Sequence, residues 1–396
     1  MSEQPTLVVA QSGGPTAAIN ASLAGVVETA LADERVGRVL GARFGVEGML
    51  AGDLIDLGRQ DRSLWSQIRV TPSAALGSCR RKINDDERDA ILNSLIELRT
   101  RYLVYIGGND SADTALGLHN AARARGYDLR VIAVPKTIDN DLPETDHCPG
   151  YGSAARYIAQ STQDASLDTE AMRLSDPIKI IEVMGRDAGW LVASSVLGRQ
   201  DESQAPHVLC VPERPLAVDA FIEAMETAYR RFGYAVAVVA ETVRDHGGNA
   251  IGGLNEVTQM DAFGHPTIQG GAAALTIAVG RALKVKARFD KPGTLQRMSG
   301  AHLSPVDIDE AFTAGATAVR IALDGQSGCM VGFRRQPSGP YRCDMIEIDL
   351  NKIANRHRVL PAEFLGDDPF AVTDAFVSYA MPLIGPPLLP YGRLRA

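Results

Sequence analysis

Two short, continuously apolar runs that end in polar turns constrain this chain most. Tyr102-Leu103-Val104-Tyr105-Ile106 runs into Gly107-Gly108-Asn109-Asp110-Ser111, and Val131-Ile132-Ala133-Val134-Pro135 runs into Lys136-Thr137-Ile138-Asp139-Asn140-Asp141. Apolar runs of this length, bounded by turn residues, suit strands buried on both faces, the condition of a parallel sheet covered by helices. In such an open α/β sheet the ligand crevice lies outside the carboxyl ends of the strands. Glycines there let backbone amides approach an anion, and the next helix's N-terminus favours negative charge. A lysine, a hydroxyl and carboxylates beside a phosphate cradle point to phosphoryl transfer.

Strand-like and helix-like stretches alternate through most of the chain. Thr6–Gln11 reads as a strand, Thr16–Ala32 as a helix and Arg38–Phe44 as a second strand. Helices are expected over Asp85–Arg99, Ser111–Arg125, Ser153–Met172 and Ala217–Arg231, and strands over Ile178–Val183, Val208–Val211 and Tyr234–Glu241. Asp245–Asn249 and Gly252-Gly253 read as a surface loop. A helix near Gly270–Leu283, another over Asp307–Leu323 and strand-like runs Cys329–Arg334 and Met345–Leu350 follow. This rhythm predicts an α/β fold with parallel sheets and helices on both faces, in two domains plus a C-terminal segment.

Composition narrows the function classes. The chain has 396 residues, 45% hydrophobic and 22% charged, enough for two or three soluble domains. No apolar run reaches a membrane span, and Met1-Ser2-Glu3-Gln4-Pro5 carries no export pattern, so a cytoplasmic protein is expected. Five scattered cysteines without a CxxC pair read as thiols in a reducing compartment. The net charge of −8 argues against nucleic acid as a partner, and an anionic substrate would need a local basic pocket.

Several familiar motifs fail. GxxxxGK[ST] is absent. Gly150-Tyr151-Gly152-Ser153-Ala154-Ala155 follows Cys148-Pro149 rather than a strand, against a dinucleotide site. Asp139-Asn140-Asp141 begins like a calcium loop, but Glu144 stands where glycine is needed and Gly150 where glutamate is needed. Asn109, Asp110 and Ser111 also suit a helix cap, worth about 1 kcal/mol. Gly13-Gly14, between the first strand and helix, suits a phosphate contact. Arg80, Arg186, Arg288 and Arg297 lie in loops or at strand ends, and arginine grips phosphate in a planar fork.

Taken together, Ser12-Gly13-Gly14, Gly107–Ser111, Pro135–Asp141, Glu182-Val183-Met184-Gly185-Arg186, Ala240-Glu241 and Leu295-Gln296-Arg297 resemble the type A phosphofructokinase family, over about Leu7 to Gly300. The resemblance implies two Rossmann-like parallel-sheet domains with the active site in the cleft between them. Residues 1–145 would bind the phosphoryl donor, 146–300 the sugar phosphate, and 301–396 would pack back on both. The implied reaction is transfer to the 1-hydroxyl of fructose 6-phosphate. By position, Asp139 is the base, Thr137 and Ile138 border the sugar, and Met184, Gly185, Arg186 and Glu241 hold it. Arg297 would bind the 6-phosphate and Arg288 would reach it from a neighbouring subunit, implying a homodimer or homotetramer with a shared site. Gly13 and Arg80 would touch the donor phosphates. A second cross-subunit arginine is missing, with Pro177 in its place and Lys179 or Arg173 as substitutes.

Asp110 and Lys136 stand where ATP users have glycine, which resembles the pyrophosphate-using branch. An aspartate there fills the space of an α-phosphate and repels it. Two unit charges about 4 Å apart repel by roughly 4 kcal/mol at an effective dielectric of about 20, or about three decades of affinity. Lys136 supplies positive charge where the transferring group and its leaving phosphate develop negative charge. Asp139, Lys136 and Asp110 form the expected catalytic set. Mg²⁺ is the implied cofactor, with Asn109, Asp110 or Asp141 as ligand and Asn109 the first choice. An ATP-dependent kinase and a non-catalytic sugar-phosphate-sensing subunit are the alternatives, and sedoheptulose 7-phosphate remains open as an acceptor.

Overall fold

The structure, a computed structural model, describes residues 4–252 and 270–393. These form two compact units: residues 4–151 with 297–358, and residues 152–252 with 270–296 and 359–393. The first boundary therefore falls a few residues beyond the expected 145. The expected third segment divides between the units, because helix Pro305–Leu323 packs on helix Ile19–Leu31 and two late strands extend the first sheet.

The strands are β1 Thr6–Gln11, β2 Arg38–Ala42, β3 Leu54–Asp56, β4 Thr100–Gly107, β5 Arg130–Pro135, β6 Ile178–Val183, β7 Val208–Cys210, β8 Ala235–Ala240, β9 Ala287–Asp290, β10 Cys329–Arg335 and β11 Cys343–Asp349. In the first unit the sheet order is β11-β10-β5-β4-β1-β2-β3. All neighbours are parallel except β10–β11 and β2–β3 at the two margins.

The central strands are buried on both faces, as their unbroken apolar runs require. Leu7, Val9, Val104, Ile132 and Val134 join Ile19, Leu23 and Val27 of one helix and Ala318 and Val319 of another. Val8, Leu103, Tyr105 and Val131 face the other way, toward Ile91, Leu92 and Leu95 and toward Ala115 and Leu118. Gly25 and Gly315 let helices Ile19–Leu31 and Pro305–Leu323 touch backbone to backbone: a Cβ on either would lie 2.0 Å from a carbonyl oxygen of the other helix.

The second unit holds an all-parallel sheet, β7-β8-β6-β9. Helix Val218–Phe232 packs on β8 and helix Gly271–Leu283 on β6 and β9. The sequence reading lacked β3 and β9, whose few residues are half-buried or exposed, unlike those of the equally short but fully buried β7. It also began the first helix at Thr16. That hydroxyl instead accepts the Ile19 N–H at 3.0 Å from the turn before the helix, whose N-cap is Ala18. Asp245 organises its exposed turn by accepting the Gly247 and Asn249 amides; Gly253 lies outside the described residues. The five cysteines are all free thiols, and no helix among the described residues is long and apolar enough to cross a membrane.

Candidate active site

Gln11 pairs with Ile106 and Gly107 with Pro135, so the turns after β1, β4 and β5 leave the sheet at the same edge. The Ser12 N–H donates to Ile106 O and the Lys136 N–H to Gly107 O, both at 3.0 Å. Ser12 and Ser111 join the first two turns through their hydroxyls. The sheet thereby delivers Gly13-Gly14, Asn109-Asp110 and Lys136–Asp141 to one place.

Lys136 is only 3% exposed. Its Nζ donates to Gly14 O at 2.9 Å. A Cβ on Gly13, whose φ is +81°, would lie 2.9 Å from that Nζ, and one on Gly14 would lie 2.6 Å from Arg297 Nη1, with Arg80 just beyond. The glycine pair is thus the floor on which three cations converge. Burial first, then Arg297 and Arg80, lowers the Lys136 pKa to about 8, against the opposing pull of Asp139 and Asp141. Burial and Arg80 also lower the pKa of Arg297, which Asp139 partly offsets. The Gly13 N–H donates to Cys79 O at 3.1 Å, so Gly13 offers space to an anion rather than its amide.

The segment after β5 is locked from several sides. Thr137 Oγ1 accepts the Asp139 N–H at 3.1 Å, and Asn140, at φ +53°, accepts the Cys148 N–H at 2.9 Å. Asparagine tolerates that left-handed conformation better than most residues. Arg358 donates to the carbonyls of Asn140, Thr145 and Asp146. Ile138 is buried, and Thr137 and Asp139 are half-buried. His147 carries the next constraint, with Nδ1 2.9 Å from Asp146 and Nε2 2.8 Å from Glu310. Burial works against its charge, but bonds to Asp146, Cys343 and Glu310 outweigh it and raise its pKa well above 6.5.

Asn109, the first-choice metal ligand, uses both ends of its amide elsewhere. Its Nδ2 donates to Arg356 O, and its Oδ1 accepts the Asn355 N–H at 2.7 Å. Asp110 sits beside it in the first turn of helix Asn109–Ala124. Asp141 faces His357 at 3.4 Å.

The second unit builds its own cluster at the ends of β6 and β8. The Glu241 N–H donates to Val183 O at 3.0 Å. Burial raises the Glu241 pKa, with Glu182 adding and Lys291 and Arg186 opposing. Glu182 accepts the Ala272 N–H and pairs with Lys291 at 2.5 Å. Gln296 Oε1 accepts the Met184 N–H at 3.1 Å, while its Nε2 donates to Gly293 O at 2.9 Å. Met184, Gly185, Arg186 and Glu241 are therefore neighbours through a frame of Glu182, Lys291 and Gln296 that residue-by-residue reading passed over. All three lie in or beside the quoted motifs.

Arg288 lies on β9, 2.6 Å from Asp176. Lys179, one expected substitute for the missing arginine, is committed to Asp168 at 2.9 Å and Asp290 at 3.1 Å. Arg297 belongs with the first unit, where its carbonyl accepts the Ala17 N–H at 2.8 Å.

Comparison with known proteins fits this geometry. The Phosphofructokinase family profile matches residues 6–322. A pyrophosphate–fructose 6-phosphate 1-phosphotransferase of Xanthomonas campestris pv. campestris is 40% identical over 393 residues, covering 98% of this chain and 93% of the relative. One from Halomonas elongata is 39% identical, covering 95% and 90%. The crystal structure of a pyrophosphate-dependent phosphofructokinase from Nitrosospira multiformis superposes with a TM-score of 0.89 at 36% identity, covering 99% of this chain and 94% of that one.

Proposed function

Because the chain belongs to the phosphofructokinase family, we infer that it is a pyrophosphate–fructose 6-phosphate 1-phosphotransferase, yielding fructose 1,6-bisphosphate and phosphate. The observation that carries the donor assignment is Lys136: a buried ammonium bonded to Gly14 O, with Arg80 and Arg297 around the same turn and Asp110 two residues past Gly108. Three cations at one short turn suit a small, dense anion. Asp110 opposes any further phosphate on that side.

In this reading Asp139 accepts the proton of the sugar's 1-hydroxyl as the new O–P bond forms. Thr137 Oγ1 and the Asn140 frame hold its backbone for that task. The bond from the transferred phosphorus to the bridging oxygen breaks, and the electron pair stays on the departing phosphate, where Lys136 meets the developing charge. Arg80 and Arg297 flank that group; the site of Arg297 beside Gly14 supports a donor-side contact in addition to the 6-phosphate. Met184, Gly185, Arg186 and Glu241 orient the sugar, and Arg288 reaches its phosphate from a neighbouring copy in a homo-oligomer.

A divalent ion, Mg²⁺ by its preference for phosphate and carboxylate oxygens, would neutralise donor charge when bound. The donor set fits with one change. The Asn109 oxygen already accepts a backbone N–H, so Asp110 and Asp141 are the better holders.

A donor panel tests the reading. Purified protein should phosphorylate fructose 6-phosphate with diphosphate and not with ATP. Asp110→Gly combined with Lys136→Gly should open ATP use. Turnover with ATP alone by the unmodified protein would overturn the donor assignment.

A further inference from the structure

We propose that Asp146, His147 and Cys343 form a zinc-binding site, separate from the Mg²⁺ assigned above to the phosphoryl donor. Each residue offers one ligand atom, and the three atoms lie within 4.8 Å of one another. Three parts of the first unit bring them together. Asp146 and His147 follow the segment Lys136–Asp141. The Asp146 N–H donates to Phe333 O, and Thr145 Oγ1 accepts the Phe333 N–H, both at 2.9 Å, so this stretch is seated on the end of β10. Cys343 is the first residue of β11 and pairs in register with Arg335, the last of β10. Glu310 reaches the cluster from helix Pro305–Leu323.

The residue types select the ion. An imidazole and a thiolate suit zinc, whereas Mg²⁺ takes oxygen ligands. His147 is also held as a metal-binding imidazole is held. Asp146 lies on its Nδ1 side at 2.9 Å, and its Nε2 lies 2.8 Å from Glu310. A carboxylate on the far ring nitrogen fixes the tautomer and orientation of the ring and strengthens it as a ligand. Phe333 packs against the same ring, with centroids 4.7 Å apart. Arg335 lies 3.0 Å from Asp146, and the Tyr341 hydroxyl lies 2.8 Å from Glu310 and 3.5 Å from Cys343 Sγ.

Charge and access both permit an ion. On binding, zinc displaces one imidazole proton and the thiol proton to solvent. Its two positive charges and that of Arg335 then balance Asp146, Glu310 and the Cys343 thiolate. The His147 side chain is 3% exposed, but those of Asp146 and Glu310, at 17% and 15%, leave a way in from solvent. A tetrahedral zinc with bonds of about 2.0–2.3 Å holds its ligand atoms roughly 3.5 Å apart, so the side chains close in by about 1 Å and water takes the fourth position. The bound ion ties β11 to the chain just beyond Asp139, a cross-link between residues 146–147 and 343.

Titrating the full chain, freed of metal by a chelator, with Co²⁺ tests this, with Mg²⁺ in excess to fill the oxygen sites. One Co²⁺ per chain should bind and give a near-ultraviolet thiolate-to-cobalt absorption band. Zn²⁺ should abolish that band by displacement and raise the melting temperature. Cys343→Ser should remove the band, while Cys79→Ser, at the other half-buried thiol, should keep it. Glu310→Gln should weaken binding about ten- to hundredfold through the far side of the imidazole. Metal-free melts of Cys343→Ser that match those of the unmodified chain show that this variant is folded. Absence of the band in the unmodified chain, which needs no variant to observe, would overturn the site. So would a band that survives Cys343→Ser, or Glu310→Gln binding Co²⁺ as tightly as its parent.

Discussion

Lys136→Met should make the substrate-free protein more stable while disabling it. The ammonium's pKa falls from 10.5 in the unfolded chain to about 8 in the native one. At about 1.4 kcal/mol per unit, carrying that charge inside destabilises the native state by about 3 kcal/mol below pH 8. Removing it forfeits the charged bond to Gly14 O, worth about 2 kcal/mol. The net gain is about 1 kcal/mol, or about 3 °C in melting temperature for a unit of this size. Between pH 8 and 10.5 the unfolded chain binds more protons than the native one, so the stability of the unmodified protein rises with pH across that window. Methionine does not titrate, and the gap should close as pH rises. Thermal and urea melts at pH 7.5 and 10, with and without diphosphate, measure this. Diphosphate should stabilise the unmodified protein far more than the variant. Turnover of the variant should fall by about 10² or more. A variant less stable than its parent at pH 7.5, or a gap that does not change by pH 10, would refute the reasoning.

Three further outcomes are expected. The kcat/KM for diphosphate should decline above pH 8, about tenfold by pH 9, as Lys136 loses its proton, and Lys136→Arg should move that limb to higher pH. Gln296→Ala frees the Met184 amide and should raise the KM for fructose 6-phosphate by about tenfold while the diphosphate KM stays put, as steady-state kinetics will read. For His147, the native pKa is raised, so the imidazolium's contribution is complete below about pH 6.5 and is lost as pH climbs through the native value. His147→Gln should therefore cost more stability at pH 6 than at pH 9, as denaturant melts at the two values would show.

The fold was legible wherever an element was long and its environment uniform. β4 and β5 declared themselves because every residue between Leu103 and Ile106, or Val131 and Val134, is buried and apolar. β3 and β9 did not, since three or four residues, none of them buried, leave no apolar run. That gap has a consequence: without β9, the pairing of Arg288 with Asp176 is not readable from the sequence. The convergence of Lys136 on Gly14 was not readable either, because 122 residues separate them and only the parallel pairing of β1, β4 and β5 joins their turns. Sequence could give the residue types at the site. It could not say that the Asn109 amide was already committed to Asn355 and Arg356, or that Gly13's N–H was bonded to Cys79.

The charge arrangement explains why motif and instability belong together. Lys136, Arg80 and Arg297 repel one another around Gly13-Gly14 in the substrate-free state, which adds to the larger effect of burial in lowering the pKa values of Lys136 and Arg297. Asp139 and Asp141 relieve part of that repulsion, and Asp139 is also the residue proposed to accept a proton. A site built this way is held open by the rigid sheet beneath it, whose strands are buried on both faces, and by Arg358 and His147 behind the segment Lys136–Asp141. An anion entering it gains attraction that the three cations cannot find among themselves. Lys136, whose pKa burial and its cationic neighbours lower to about 8, is the residue assigned to the leaving phosphate, so binding energy is released where charge develops in the reaction. A nucleotide would have to satisfy the same three cations while setting its next phosphate against Asp110. Selection for the smaller donor then follows from repulsion on both sides of the turn: among cations when the site is empty, and between Asp110 and any longer chain of phosphates when it is full.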